Sequence, residues 1–419
     1  MKVVISTLGS RGDIQPYLAL AMALQQAGHR VTLSAPQTYA EWIQSYGVNV
    51  HPVRFNPQEV MHNISKRGSK LAAFREMRHL MDKGVMQALG DCWQAAQDAD
   101  FMVQTGTGSN ALEIASQRGI PVAFSYLVPM APTRAFPSFF LPFRFSLGGG
   151  YNRLTYSLVS LALWLTVGGR TVNRWRSRLG LSPWRSESEM LNYARSLGTP
   201  SLYGFSQSVL PRPPDWDPYQ HITGYWFLPA QPGWEPPADL LRFVESGPPP
   251  TYVGFGSMSS ENPEHQARLA VRALELSGQR GVLATGWGGI AHIPVSSSIL
   301  FTKDVPHEWL FPRMAAVVHH GGAGTTSAGL RAGIPSVITP FGGEQRAWAD
   351  LVVKLGVGEH IPAMKSLTPE KLSQAIRTAV NDHALRSRAA SLGAQIRAEN
   401  GAARAVEVIE AHAAHFGQC

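Results

Sequence analysis

Two stretches of this 419-residue chain repeat one plan, and that repeat constrains the fold more than any other feature. In the first, the apolar run Phe101 to Gln104 meets Gly106-Thr107-Gly108-Ser109, then the helix-forming Ala111 to Gln117, then Gly119-Ile120-Pro121 and a further apolar run. In the second, Ala315 to His319 meets His320-Gly321-Gly322-Ala323-Gly324-Thr325-Thr326, then Ser327 to Ala332, then Gly333-Ile334-Pro335. Eleven residues separate Gly108 from Gly119, and eleven separate Gly322 from Gly333. Strand, tight turn, helix and strand with such short joints make the βαβ unit of a parallel sheet. The amino terminus supplies another: Val3 to Ser6, then Ile14, Leu18, Ala21 and Leu24 at helical spacing, a stop at Gly28, and Val31-Thr32-Leu33. The expectation is an α/β protein of two similar halves, each a doubly wound parallel sheet of Rossmann type.

A joint is expected between the halves. Residues 211–250 hold eleven of the chain's 30 prolines, with Trp216, Trp226 and Trp234 among them. Such a composition resists regular structure and suits a linker. The division is therefore residues 1–215, a proline-rich linker at 216–250, a second domain at 251–398 and a final helical stretch at 399–419. Thr368-Pro369-Glu370 reads as a helix cap, a first-turn proline and an acid.

Composition removes several function classes. Hydrophobic residues at 44% and charged residues at 16% exclude a disordered chain. Two cysteines, Cys92 and Cys419, cannot build a disulfide framework or a four-ligand zinc site, so a reducing compartment is expected. No apolar region precedes Gly9-Ser10-Arg11-Gly12-Asp13, and the most apolar uncharged stretch, Leu154 to Gly169, is 16 residues, short of the ~20 that span a bilayer. A cytoplasmic location is expected. Lys plus Arg exceeds Asp plus Glu by 37 − 29 = +8, which favours an anionic partner, yet no dense basic run with interleaved aromatics marks a nucleic-acid surface. Between about 125 and 200, Phe136, Phe139, Phe140, Phe143, Phe145 and Trp164 sit among Arg134, Arg144, Arg153, Arg170, Arg174, Arg176 and Arg178. Helices covering the first sheet, with the arginines as a solvated rim, are the first reading of this mixture; an apolar acceptor pocket with a basic, membrane-facing surface is the alternative.

The strongest local signal is His320 to Thr326, between a strand and a helix. Glycines let backbone N–H groups approach an anion, and the helix N-terminus adds partial positive charge. Gly322, Gly324 and Thr325 are candidate diphosphate contacts, with His320 adding an N–H. Ser257, after Gly256 at the end of its own strand, converges on the same crevice if that sheet is doubly wound. Glu344 and Gln345, one αβ unit later, place carboxylate and amide side by side, as reading adjacent sugar hydroxyls requires. Asp13 either caps the helix that Pro16 helps to start or serves as a carboxylate base at the sheet's edge; the residues alone leave both open. Gly106 to Ala111 fits a dinucleotide fingerprint, but Phe124 to Ala131 carries no ribose-binding acid. Asp98-Ala99-Asp100 and Asp215-Trp216-Asp217 match a metal-holding pattern; the first precedes its strand and the second lies in the linker, so no obligatory metal is expected.

Gly9 to Pro16, Val305-Pro306-His307-Glu308-Trp309-Leu310-Phe311-Pro312 and His319 to Thr326 together resemble the sterol 3-β-glucosyltransferases. That family is similar to the glycosyltransferases of glycopeptide antibiotics and rhamnolipids, within the two-Rossmann GT-B fold. The resemblance implies inverting transfer of a hexose, glucose first, from a UDP-sugar to a hydroxyl of a lipophilic acceptor. It makes Asp13 the general base, His320, Gly322, Gly324, Thr325 and Ser257 the diphosphate site, Val305 the uracil contact, and Glu344 with Gln345 the sugar-reading pair. It assigns the acceptor to the first domain and the nucleotide sugar to the second. It also implies no metal and a final helix packing back on the first domain. The family's usual Phe-Gly-Asp-Gln is Gly342-Gly343-Glu344-Gln345 here, and Ala328 stands where plant-type relatives place a ribose-binding Glu. Rhamnolipid-like, polyketide or carotenoid acceptors remain open, as do UDP-sugar 2-epimerase and non-catalytic nucleotide-sugar binding.

Overall fold

The apolar runs become strands buried on both faces, as helices on each side of a parallel sheet require; Val3, Val4 and Ile5, and likewise Phe101, Met102 and Val103, are all buried. The computed structural model describes residues 1–55, 70–106, 111–141, 145–165, 169–256, 262–286, 290–303 and 305–416, with backbone alone at 70–82 and 365. Ser257, Phe143, Arg144, Cys419 and the turn at Thr107 to Asn110 lie outside the described residues.

The first lobe comprises β1 (Lys2–Ser6), α1 (Arg11–Gln26), β2 (Arg30–Pro36), α2 (Ala40–Gln44), β3 (Asn49–Val53), α3 (Lys70–Ala95), β4 (Phe101–Thr105), α4 (Ala111–Arg118), β5 (Val122–Tyr126), α5 (Gly149–Leu163), α6 (Gly169–Arg178), α7 (Glu187–Ser196), β6 (Ser201–Tyr203) and β7 (Gln220–Ile222). The second comprises α8 (Ala238–Glu245), β8 (Thr251–Gly254), α9 (Pro263–Ser277), β9 (Gly281–Ala284), β10 (Ile299–Thr302), α10 (His307–Leu310), β11 (Ala316–His319), α11 (Ala323–Ala332), β12 (Ser336–Ile338), α12 (Glu344–Lys354), β13 (Gly358–His360), α13 (Pro369–Asn381) and α14 (His383–Ala398), before α15 (Gly401–His415). The sheets run β3-β2-β1-β4-β5-β6-β7 and β10-β9-β8-β11-β12-β13. Every described strand pair is parallel. Strand order reverses at β1/β4 and at β8/β11, where open α/β sheets leave a crevice at the strands' carboxyl ends. Both glycine corners of interest sit at these reversals.

The proline-rich stretch carries β7 and α8. Its tryptophans anchor it: Trp216 stacks on Tyr203 at 4.7 Å, and Trp226 meets Tyr17 edge-on at 5.6 Å. Among the described residues β7 pairs only with β6, an edge position where nearby prolines cost no ladder bond. Thr368 caps α13 by accepting from the Lys371 N–H, with Pro369 in the first turn.

α15 returns to the first lobe and packs on α1, placing Ala405, Val406 and Ile409 in the same core as Leu18, Leu20 and Leu24. The return passes Gly401, where an added Cβ would lie 2.5 Å from the Gly224 carbonyl carbon and the Tyr225 oxygen. A second apolar cluster joins the lobes: Phe139 from the first meets Trp348 of α12 at 5.4 Å, with Phe205, Ile338 and Leu330 around them. Phe139 is therefore an interlobe core residue, buried in a cluster that the two lobes share. Among the described residues, no helix is long and apolar enough to cross a membrane.

Candidate active site between the lobes

The first corner runs from β1 into α1. Gly9 takes φ +119°, and a Cβ there would lie 2.5 Å from Asp13 Oδ2, so only glycine lets the acid fold back beneath it. Ser10 is the N-cap, and its backbone N–H and its hydroxyl both donate to Asp13 Oδ2, at 2.8 and 2.9 Å. Oδ1 has no partner among the described residues. Burial pushes the Asp13 pKa up, against the lowering effect of the two Ser10 bonds. A carboxylate with a raised pKa and one oxygen available is a stronger proton acceptor than an ordinary surface Asp.

The second corner runs from β11 into α11. Buried His319 accepts the Gly321 N–H at Nδ1, 3.1 Å, which fixes its proton on Nε2. Gly321 has φ +89°, and a Cβ there would press to 2.8 Å from Ile338 Cγ2 and 2.9 Å from the Gln345 carbonyl oxygen. Gly256 and Gly322 make the space for His320: a Cβ on either would come within 2.6 and 2.5 Å of its ring. Burial holds the His320 pKa down to about 4, so at neutral pH the imidazole is uncharged and offers one N–H. Gly322 is the N-cap of α11 and no side chain caps the helix. Its first-turn N–H groups are left without intrahelical partners and carry the positive end of the helix dipole. Gly324 has open space where its Cβ would stand.

Glu344 and Gln345 open α12 behind Gly343, at φ +59°. Gln345 Oε1 accepts the Phe341 N–H at 2.9 Å, so its acceptor closes the loop and its amide remains as a donor. The Glu344 pKa is raised by burial and further by the Asp13 charge, an interaction that reaches from one lobe to the other. α1 itself touches α11. The structure thus brings Asp13, His320, Gly322, Gly324, Thr325, Glu344 and Gln345 to one interlobe crevice, and it seats Val305 against the Tyr252, Leu310 and Phe311 cluster nearby.

The protein-family comparisons follow the same two corners. Residues 3–106 match the glycosyltransferase family 28 N-terminal domain, and residues 285–411 match the C-terminal domain of erythromycin biosynthesis protein CIII-like proteins. The sterol 3-beta-glucosyltransferase of Emericella nidulans is 34% identical over 98% of this chain and 30% of its own length; that of Leptosphaeria maculans is 35% identical over 98% and 28%. The chain thus spans less than a third of these relatives. The calicheamicin glycosyltransferase CalG4 superimposes with a TM-score of 0.72 at 18% identity over 99% of both chains. The glycosyltransferase VinC, solved with dTDP, gives 0.67 at 16% over 99% of this chain and 100% of its own. The chain has the two-lobed GT-B fold of these glycosyltransferases.

Within this GT-B chain one crevice residue escaped the sequence reading. His307 stacks on Phe311 at 4.2 Å, and its pKa is held to about 4 by burial, with Arg11 of the first lobe and His320 adding to the effect. It stood inside the Val305 to Pro312 motif, but only the fold sets it within reach of the Arg11 charge and of His320. The Asp-x-Asp pairs have structural partners: Asp98 pairs with Lys2, Asp100 accepts the Lys2 N–H at 2.7 Å, Asp215 binds Thr133 and the Arg134 N–H, and Asp217 pairs with Arg195.

Proposed function

We propose that this chain transfers a hexosyl group, glucose first, from a UDP-sugar to a hydroxyl of a lipophilic acceptor such as a sterol, with inversion at the anomeric carbon. One observation carries the reading: the acid with an available oxygen and the uncapped helix face each other from separate lobes. The acceptor hydroxyl attacks the anomeric carbon while its proton passes to Asp13 Oδ1; the bond from that carbon to the diphosphate oxygen breaks, and UDP leaves. The developing charge on the diphosphate meets the N–H groups of α11, the helix dipole, the Thr325 hydroxyl and the neutral His320 N–H. This electrostatic set does the work of a cation, so the reaction needs no metal in this reading. Ser257 is assigned a further phosphate contact, Val305 the uracil, and Glu344 with the Gln345 amide the sugar hydroxyls. A diphosphate beside His320 opposes the burial that depresses its pKa, so nucleotide binding takes up protons on the acid side of neutrality.

The names of the sterol enzymes support the acceptor class. A lipophilic acceptor resides in a bilayer, so the proposal includes peripheral membrane contact by the first lobe. The test is incubation of purified protein with UDP-glucose, other UDP-sugars and dTDP-glucose against a panel of sterols and other lipid alcohols, with products weighed by mass spectrometry. A sterol hexoside that requires UDP-glucose supports the reading. Sugar released or isomerised without acceptor overturns it in favour of epimerase or hydrolytic chemistry.

A further inference from the structure

On α5 and the turn that extends it, Leu154, Leu158, Leu161 and Leu165 recur along one helical face, and all are 54–66% exposed. The opposite face buries polar groups. Thr155 Oγ1 accepts the Ser138 N–H at 2.9 Å and donates to the Asn152 carbonyl, while the Asn152 amide donates to the Arg134 carbonyl at 2.9 Å. The helix is held down by hydrogen bonds, and its apolar stripe is turned outward. Leu147, 72% exposed, and Phe145, stacked on Tyr151, extend the patch on the N-terminal side.

α6 adds charge. Arg170, Arg174 and Arg178 recur every four residues on its exposed face and form no ion pair among the described residues, while Val172 and Trp175 face inward. The Trp164 indole lies where a Cβ on Gly169 would stand, so the start of α6 abuts the end of the leucine stripe. Arg153 is exposed beside Leu154. An exposed leucine row beside the three arginines of α6, unpaired among the described residues, matches a bilayer interface, with apolar side chains below the headgroup level and cations on anionic headgroups. A second copy of this chain fits less well, since a two-fold interface sets the arginine rows of the two copies near one another.

We propose that this face docks the protein on an anionic lipid bilayer. The face borders the acceptor side: Ser160 of α5 hydrogen-bonds Glu187 of α7, whose charge acts on Tyr126 at the carboxyl end of β5. The inference deepens the lipophilic-acceptor reading and rests on it for its purpose, giving the membrane-resident substrate a short path into the first lobe.

The experiment is density-gradient flotation of the full chain with vesicles of phosphatidylcholine alone and of phosphatidylcholine with phosphatidylglycerol. The wild type floats with the anionic vesicles and on the order of 100-fold less with the neutral ones, as roughly fivefold for each of the three exposed arginines of α6 implies. Leu158→Ser with Leu161→Ser lowers partitioning by on the order of tenfold. Arg174→Glu with Arg178→Glu removes the preference for phosphatidylglycerol. These positions are exposed, so both variants keep the wild-type melting temperature and transfer to a detergent-dispersed sterol. Absence of flotation with anionic vesicles, flotation of both variants equal to wild type, or a dimer in sedimentation that the leucine variant dissociates would overturn the proposal. Vesicle binding without transfer to any lipid alcohol supports the docking face while removing the acceptor reading.

Discussion

The two corners that face each other across the crevice are built alike and finished differently. Each follows a β-strand at a sheet reversal, turns on a glycine of positive φ and starts a helix. At the first, Asp13 reaches back to the Ser10 N–H and hydroxyl and supplies the helix N-terminus with its own anion. At the second, Gly322 stands where a capping side chain would, and the helix N-terminus has no anion of its own. The difference assigns opposite jobs: a self-capped corner holds a negative charge ready to accept a proton, and an uncapped one awaits a negative charge brought by a ligand.

The largest expected effect comes from the first corner. Asp13→Asn keeps an oxygen for the Ser10 bonds but removes the base, so turnover falls about 10³-fold while UDP affinity stays within about twofold, as kinetics and calorimetric titration read it. Gly324→Asp makes the second corner resemble the first. Nothing stands within 4 Å of the added Cβ, and an acid in the first turn suits the helix. The fold survives, and UDP affinity drops on the order of 100-fold from like-charge repulsion in a partly dry site; affinity equal to wild type would break the comparison. Next, His320→Ala removes one neutral donor and weakens UDP binding about tenfold in the same titration.

The smallest effect is on stability. Burial raises the Asp13 pKa, so the fold disfavours its charged form. Asp13→Asn therefore melts higher than wild type at neutral pH, by roughly 1–3 °C. The sign fixes the pH window. The difference is full above the raised pKa of the folded state and vanishes as pH falls below the ordinary Asp range, which melting curves from neutral to acid pH will show.

The glycine spacing and the Gly-Ile-Pro returns foretold two parallel sheets because local turn chemistry decides them. Asp13 presented two readings, cap and base, and the geometry allows both at once: Oδ2 caps while Oδ1 is left over. Other features depend on partners far away in the chain. His307 gains its surroundings from Phe311 and from Arg11 of the other lobe, and Gln345 loses its acceptor to the Phe341 N–H. The aromatic run at 136–145 allowed two readings, cover for the first sheet or an acceptor pocket, and within it Phe139 packs on Trp348 of the other lobe, a partner no local pattern reveals. On α5, periodicity marks an apolar stripe, but the hydrogen bonds of Asn152 and Thr155 decide that the stripe faces out.

Asp13→Asn, titrated with UDP by calorimetry and assayed for sterol hexoside on the same sample, tests the division of labour most directly. The expected result is a wild-type dissociation constant with product formation down by about three orders of magnitude. Product formation at the wild-type rate would contradict it, because the proton would then have another destination.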